Sequence, residues 1–319
     1  MKTFRVLAAI TVACVYLQIV LGSVVRITGS GLGCPDWPLC HGRLVPAFDY
    51  HTLIEYSHRL VGSATGVLVV ATAVLGVVLY VRPRGARVIP RGLMQAGLVL
   101  LALYVLQGVL GGITVLMKNS PFTVAIHLGN AELVLGLALL TWLWAGRVLR
   151  GAPAAGRTAG FARWAYGGAV ATYLIVLSGA YVVGSGATFA CTAWPLCGAT
   201  TAAQRLVDIH FLHRLVVGAA GAFLLVALVQ AMRQWRGHAI ATAAHVAAGA
   251  FVLEVAVGAL QVFLRFPEAV RSLHVALATL VWAGAAGVAA AYWLEGRADE
   301  SEAQRPAGVG RLTGAKVAP

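Results

Sequence analysis

The sequence is short of charge. Asp, Glu, Lys and Arg make up 11% of its 319 residues, against about 25% in an ordinary soluble domain. With 60% hydrophobic residues, the composition excludes both a single soluble core and a disordered chain. Acids are scarcest of all: 11 against 24 basic residues, with three of the acids in the last 21 positions. An acid within the apolar part therefore needs a reason to be there. The net charge of +13 has no basic arm or face behind it, so a nucleic-acid partner is excluded. The apolar runs are continuous, not alternating, which argues against a strand barrel. The first run lacks a short core ending in a small-residue cleavage site, so it reads as a retained helix and not a signal peptide.

Eight runs are long enough to cross a bilayer as helices, which takes roughly 20 residues each. They span approximately 6–27, 54–80, 92–114, 121–146, 164–184, 206–231, 240–263 and 270–294. Basic residues orient them. Sixteen fall on one side: Lys2, Arg5, Arg82, Arg84, Arg87, Arg91, Arg147, Arg150, Arg157, Arg163, Arg233, Arg236, Arg297, Arg305, Arg311 and Lys316. Six fall on the other: Arg26, Arg43, Lys118, Arg205, Arg265 and Arg271. Both termini are expected in the cytoplasm, with the loops after spans 1, 3, 5 and 7 outside, as in a bacterial cytoplasmic membrane.

The chain repeats itself. LGSVVRITGSGLGCPDWPLC at 21–40 answers to LSGAYVVGSGATFACTAWPLC at 177–197, and EYSHRLVG at 55–62 to HFLHRLVVG at 210–218. A weaker echo pairs GVLGG at 108–112 with GALQV at 258–262. The expected fold is an all-α membrane protein of eight transmembrane helices in two pseudo-symmetric four-helix bundles, related by an axis along the membrane normal. Residues 1–150 form the first, 151–163 a cytoplasmic linker, 164–294 the second, and 295–319 a poorly ordered tail.

Four of the nine histidines occupy matching places near the outward ends of the even-numbered spans: His58, His127, His213 and His274. Histidine is a common axial ligand of heme iron, and facing helices of a bundle can hold a porphyrin between them. The pairs would be His58 with His127 and His213 with His274. A proton relay and plain interhelical packing are the competing readings. Arg59 and Arg214 directly follow two of the ligand candidates and could pair with porphyrin propionates or snorkel. Glu55 stands where the second half has His210, and it suggests proton transfer in one half only; an interfacial glutamate near a helix start is the bland alternative. Glu132 and Glu254 are weaker candidates for proton supply, neither with a repeat partner. His210 could support a ligand or replace one. His245 reads as packing, His238 as a loop residue, and His41 and His51 as exposed.

Cys14 reads as an inert buried thiol. Cys34 with Cys40 and Cys191 with Cys197 are read as two local disulfides, although four cysteines allow three pairings. A staple over the heme site and a redox role for Cys34–Cys40 are both open. GSGLG in the first loop lacks a strand–turn–helix setting and is not a dinucleotide motif.

From about residue 5 to 294, these motifs resemble the heme A synthase family: VVRITGSGLGCPDWPLC, the EYSHR segment, His127, HFLHRLVVG and His274. The resemblance implies an oxidoreductase that converts the C8 methyl of heme O to the formyl of heme A. Successive hydroxylations would give a gem-diol that loses water. It implies heme b held by His213 and His274 in the C-terminal half. It also implies heme O between His58 and His127, with Glu55 catalytic and Cys34 and Cys40 linked to catalysis or electron delivery. Cys191 and Cys197 would be the structural counterpart. Implied partners are a heme O synthase upstream and cytochrome oxidase downstream, with a quinone as the candidate electron acceptor. Oxygen cannot bind iron whose two axial positions are filled. Either one histidine moves, or electrons leave through the ligated heme and water supplies the oxygen, the route favoured here. The alternative function is a di-heme b-type, quinol-oxidising electron-transfer subunit, which would not need Glu55.

Overall fold

A computed structural model describes residues 1–47, 49–82, 89–151 and 158–296. The tail from 297, residues 152–157 of the linker, and with them Arg84, Arg87, Arg157, Arg297, Arg305, Arg311 and Lys316, lie outside the described residues. Eight long helices account for the fold: α1 Lys2–Ile27, α2 Tyr50–Val81, α3 Arg91–Leu116, α4 Pro121–Arg150, α5 Ala162–Gly184, α6 Gln204–Gln234, α7 Ala239–Phe263 and α8 Glu268–Glu295. Each is long and apolar enough to cross a membrane. The shortest, α5, has 23 residues; at about 1.5 Å per residue it reaches about 35 Å, enough for a hydrocarbon core of about 30 Å. The chain is a multi-pass membrane protein.

Local chemistry sets several helix ends. Asp49 caps α2 by accepting from the N–H groups of His51 and Thr52. Ser120 caps α4 with Pro121 at the first helical position, where its missing N–H costs nothing. Gly151 ends α4 in the left-handed conformation. The N-terminal reach of α2 is longer than expected, beginning at Tyr50, because the Asp49 cap organises four further residues ahead of the apolar run.

Packing reproduces the repeat. In the first half α1 packs on α2, α2 on α3, α3 on α4 and α4 on α1, and α5 to α8 close the same ring in the second half. The rings meet through α1 against α8, α4 against α5, and α4 against α8. Exchanging the halves turns the first of these contacts into the second and maps the third onto itself. The pseudo-twofold axis therefore runs between α4 and α8. Residues from both halves share the core there, with Val15, Leu135, Trp282 and Ala286 packed together. Lipid tails are as apolar as leucine, so close approach of small residues does much of the joining. At Gly284 on α8 any side chain would run into Ala247 of α7.

Candidate functional site

The four histidines lie at the end of the molecule that carries the cysteine loops. His58 and His213 sit eight and nine residues into α2 and α6, and His127 and His274 six residues into α4 and α8. At about 1.5 Å per residue that is about 12–14 Å and about 9 Å from the helix starts. His58 is thus two turns inside its helix, not one, because α2 starts earlier than expected. α2 and α4 stand opposite one another across the first ring, and α6 and α8 across the second. His58 and His127 lie within electrostatic reach of each other, as do His213 and His274.

Every one of these rings rests on a glycine of the preceding odd-numbered helix. A methyl group added at Gly22 would stand 3.1 Å from Cε1 of His58, and one at Gly111 3.2 Å from that of His127. For Gly179 and His213 the figure is 3.2 Å, and for Gly258 and His274 3.1 Å. A larger residue at any of the four would push the imidazole off its seat. All four rings keep some accessible surface.

Their hydrogen-bond partners divide the halves. In the first half both partners are amide donors. Gln18 Nε2 lies 3.0 Å from His58 Nδ1 and 3.4 Å from Nε2, and it also donates to the His58 backbone carbonyl at 2.9 Å. Gln107 Nε2 lies 3.3 Å and 3.2 Å from the two ring nitrogens of His127. Its orientation is fixed: Asn130 Nδ2 donates to the Leu103 carbonyl and to Gln107 Oε1, at 3.0 Å and 2.7 Å, so the NH2 faces the histidine. In the second half both partners present an oxygen to Nδ1, although His274 Nδ1 itself makes no hydrogen bond among the described residues. Ser178 gives its one hydroxyl hydrogen to Ile175 O and so accepts from His213 Nδ1, at 2.8 Å in each case. Glu254 Oε1 lies 2.9 Å from His274 Nδ1. The approach is close without being aligned as a hydrogen bond, and Glu254 Oε2 is buried with no partner.

A neutral imidazole carries one proton, and only the bare nitrogen can bind iron. An acceptor at Nδ1 holds the proton there and leaves Nε2 free. A donor reaching both nitrogens does not select that tautomer. The second half is therefore pre-set for ligation through Nε2 and the first is not. The donor set fits two axial pairs, with the fit tighter in the second half.

Both cysteine pairs are local disulfides, Cys34–Cys40 and Cys191–Cys197. Each loop is clamped by an arginine of the next helix. Arg59 donates from Nη1 to the carbonyls of Asp36 and Leu39 at 2.8 Å and 2.7 Å, and from Nη2 to that of Cys34 at 2.7 Å. Arg214 donates to those of Ala193, Pro195 and Leu196 at 2.7–3.1 Å. The repeat extends to single bonds, since Ala193 and Leu196 are the counterparts of Asp36 and Leu39. The side chain of Glu55 is only 4% exposed and pairs with Arg59 Nη2 at 2.6 Å; its Oε2 accepts from the Cys34 N–H at 2.8 Å. The carboxylate thus joins the first disulfide to the helix of His58. In the second half His210 takes its place, donating to Ala187 O at 3.0 Å. The first loop has one more anchor: Asp36 accepts from Gly42 and His41 at 2.8 Å and 2.6 Å. Those bonds, the Gly42 one foremost, hold its carboxyl below the usual range.

Glu132 does not join the histidines. It is fully buried at the junction of the halves, where Thr279 donates to Oε1 at 3.0 Å. Glu254 does join them, and it has a repeat counterpart that the sequence reading missed. Gly111 and Gly258 are 147 residues apart, as are His127 and His274, and as are Gln107 and Glu254. The echo of GVLGG with GALQV is three residues out of register. Aligning on Gly111 places Glu254 opposite Gln107. The spacing Gln-x3-Gly, present as Gln18 to Gly22 and Gln107 to Gly111, was the available signal. His245 bonds its own helix at Ala241 O, as a packing residue would, and His238 caps α7. His41 and His51 are exposed. Cys14 is free but only half-buried.

Comparison with known proteins gives one consistent result. The profile of the COX15-CtaA family, described as cytochrome oxidase assembly protein, matches residues 5–51 and 47–286. The chain is 36% identical over 244 residues to a heme A synthase of Symbiobacterium thermophilum, covering 74% of this chain and 75% of that one. It is 32% identical over 249 residues to a heme A synthase of Alkalihalophilus pseudofirmus, covering 76% and 80%. A heme A synthase of Geobacillus kaustophilus is 30% identical over 290 residues, 87% and 86% of the two chains.

Proposed function

This chain belongs to the COX15-CtaA family of cytochrome oxidase assembly proteins, and on that premise we propose that it is a heme A synthase. It is an oxidoreductase that takes heme O as substrate and oxidises its C8 methyl group to the formyl group of heme A. The observation that carries the division of labour is the unequal partnering of the histidines. Two acceptors, Ser178 and Glu254, suit His213 and His274 to hold a permanent heme b. Two amide donors, Gln18 and Gln107, suit His58 and His127 to a heme that must arrive and leave.

Residues 1–150 are then the substrate half and 164–294 the resident half. The resident heme b supplies one-electron transfer. The protein does the rest with its own side chains. His58 and His127 orient the substrate porphyrin across the first ring. Gln18 and Gln107 give up their contact with the ring nitrogens as substrate enters and resume it as product leaves. Glu55, buried on the helix of His58, takes up a proton released at the oxidised methyl carbon. Arg59 holds Glu55 and the disulfide loop together, so that the loop excludes water from that end. Arg214 does the same for the second loop. With both arginines committed to loop carbonyls, their part in binding would be to fix the covers. The Cys34–Cys40 disulfide is tied to the Glu55 carboxylate through one backbone N–H, a position suited to passing electrons outward.

The bias of basic residues supports both termini in the cytoplasm and the disulfides outside, where disulfides persist. Heme O would come from a membrane synthase and heme A would go to cytochrome oxidase, with a quinone as the electron acceptor.

The test is pigment analysis of the chain produced alongside a heme O synthase. Heme A, or its hydroxylated precursor, is the expected extract, together with heme b. Heme b alone beside untouched heme O would overturn the reading in favour of an electron-transfer subunit.

A further inference from the structure

Three of the four histidine partners are neutral, and the fourth is a carboxylate. Gln18, Gln107 and Ser178 carry no charge, whereas Glu254 stands 2.9 Å from His274 Nδ1. Its residue is 8% exposed and its Oε2 has no hydrogen-bond partner. A carboxylate in that setting is costly, since among the described residues no second donor offsets its desolvation. Among the described residues no arginine or lysine pairs with it, and its ion-pair neighbour is the imidazole of His274. Gly258, one helical turn along α7, leaves room for the Cε1–Nδ1 edge of that imidazole, its Cε1 3.1 Å from where a side chain would begin. Carboxylate and glycine together hold the ring from two sides and leave Nε2 turned away from both.

We propose that Glu254 is the positioning residue of the C-terminal heme site, orienting His274 for ligation and holding the resident heme at a lower potential than a neutral partner would. The inference rests on the reading of His213 and His274 as ligands of a resident heme. Its physical basis is general. A carboxylate that accepts the far N–H of a ligating imidazole fixes the tautomer and makes the ring a stronger donor. A stronger donor favours the more positive iron. The ferric porphyrin core, in turn, supplies the positive charge that the buried carboxylate otherwise lacks. The counterpart in the first half, Gln107, offers an amide donor at the same position and does the opposite. This substitution between the repeats places the one charged histidine partner on the side of the heme that stays.

The experiment is an optical redox titration of the purified full-length protein and of Glu254→Gln, which keeps the size and removes the charge. The expected result is a tenfold change in the oxidised-to-reduced ratio at fixed potential, an upward shift of about 59 mV for one electron. Ser178→Ala, which removes a neutral acceptor, should shift it by less than half as much. An unchanged midpoint in Glu254→Gln with full heme content would overturn the proposal. If that variant loses its heme, Glu254→Asp decides. Recovery of the heme with a midpoint near that of the parent supports the proposal. Loss from both variants means that the carboxylate matters only to packing and overturns it. Failure of the underlying reading looks different: the b-type spectrum would then survive His274→Ala in an otherwise unaltered chain.

Discussion

A Glu55→Gln chain, purified from cells that make heme O, is expected to keep its heme b and to form heme A at a rate lower by about a hundredfold or more, the usual scale for removal of a general acid or base. The geometry makes the substitution severe despite its small size. One oxygen of Glu55 accepts from the Cys34 N–H and the other from Arg59. An amide can serve one of these donors, but its NH2 must then face the second. A donor would meet a donor, and Arg59 would lose its ion pair with Glu55. Rate and architecture are separable in this experiment. Arg59 retains three loop carbonyls, so the Cys34–Cys40 disulfide should stay closed, and a thiol titration checks it. Heme A formation within tenfold of the parent, with the disulfide closed, would remove Glu55 from the chemistry and leave it the role of a strut.

The second large effect concerns release. Gln107→Glu copies into the first half the carboxylate that Glu254 provides in the second. The change is nearly isosteric, and Asn130 still has an oxygen to donate to. The other oxygen then faces His127 and accepts where an amide donated. Partners of this kind alter the affinity of a metal site by about 10–100-fold. The variant should therefore co-purify with substrate or product heme in its N-terminal half, and steady-state turnover should fall by a similar factor while a single turnover proceeds. Extracted pigment per chain, set beside single- and multiple-turnover rates, reads both quantities. Unchanged pigment and unchanged turnover would mean that the amide at 107 does not govern exchange.

Much of the fold was legible in the sequence because the bilayer imposes a simple rule. A backbone in hydrocarbon must satisfy its own hydrogen bonds, so continuous apolar runs can only be helices. The repeat of the cysteine loops and His-Arg segments then specified two matching rings. The four histidines were legible for the same reason, each at a repeated place on an even-numbered helix. What lay hidden was the other side of each histidine. Gln18, Gln107, Ser178 and Glu254 sit on odd-numbered helices, 20 to 40 residues from their histidines in sequence, and three of them are ordinary polar residues in an apolar run. Only packing shows that they touch imidazoles. Glu254 looked isolated because the echo between the third and seventh helices was read three residues out of register. The arginines were also read incompletely. Their position beside the histidines suggested propionates, but the folded loops bring backbone carbonyls to them first. Glu55 likewise reaches upward to the disulfide loop and makes no hydrogen bond to His58, three residues away on the same helix.

The central claim is that one half of this protein keeps its heme and the other half changes one. Heme stoichiometry in two single variants tests it most directly. His127→Ala and His274→Ala are purified from the same heme O-producing host, and their hemes are extracted and counted per chain. The account predicts that His127→Ala retains heme b and yields no heme A, whereas His274→Ala loses heme b. Retention of heme b by His274→Ala together with its loss from His127→Ala would reverse the roles of the halves and contradict the account.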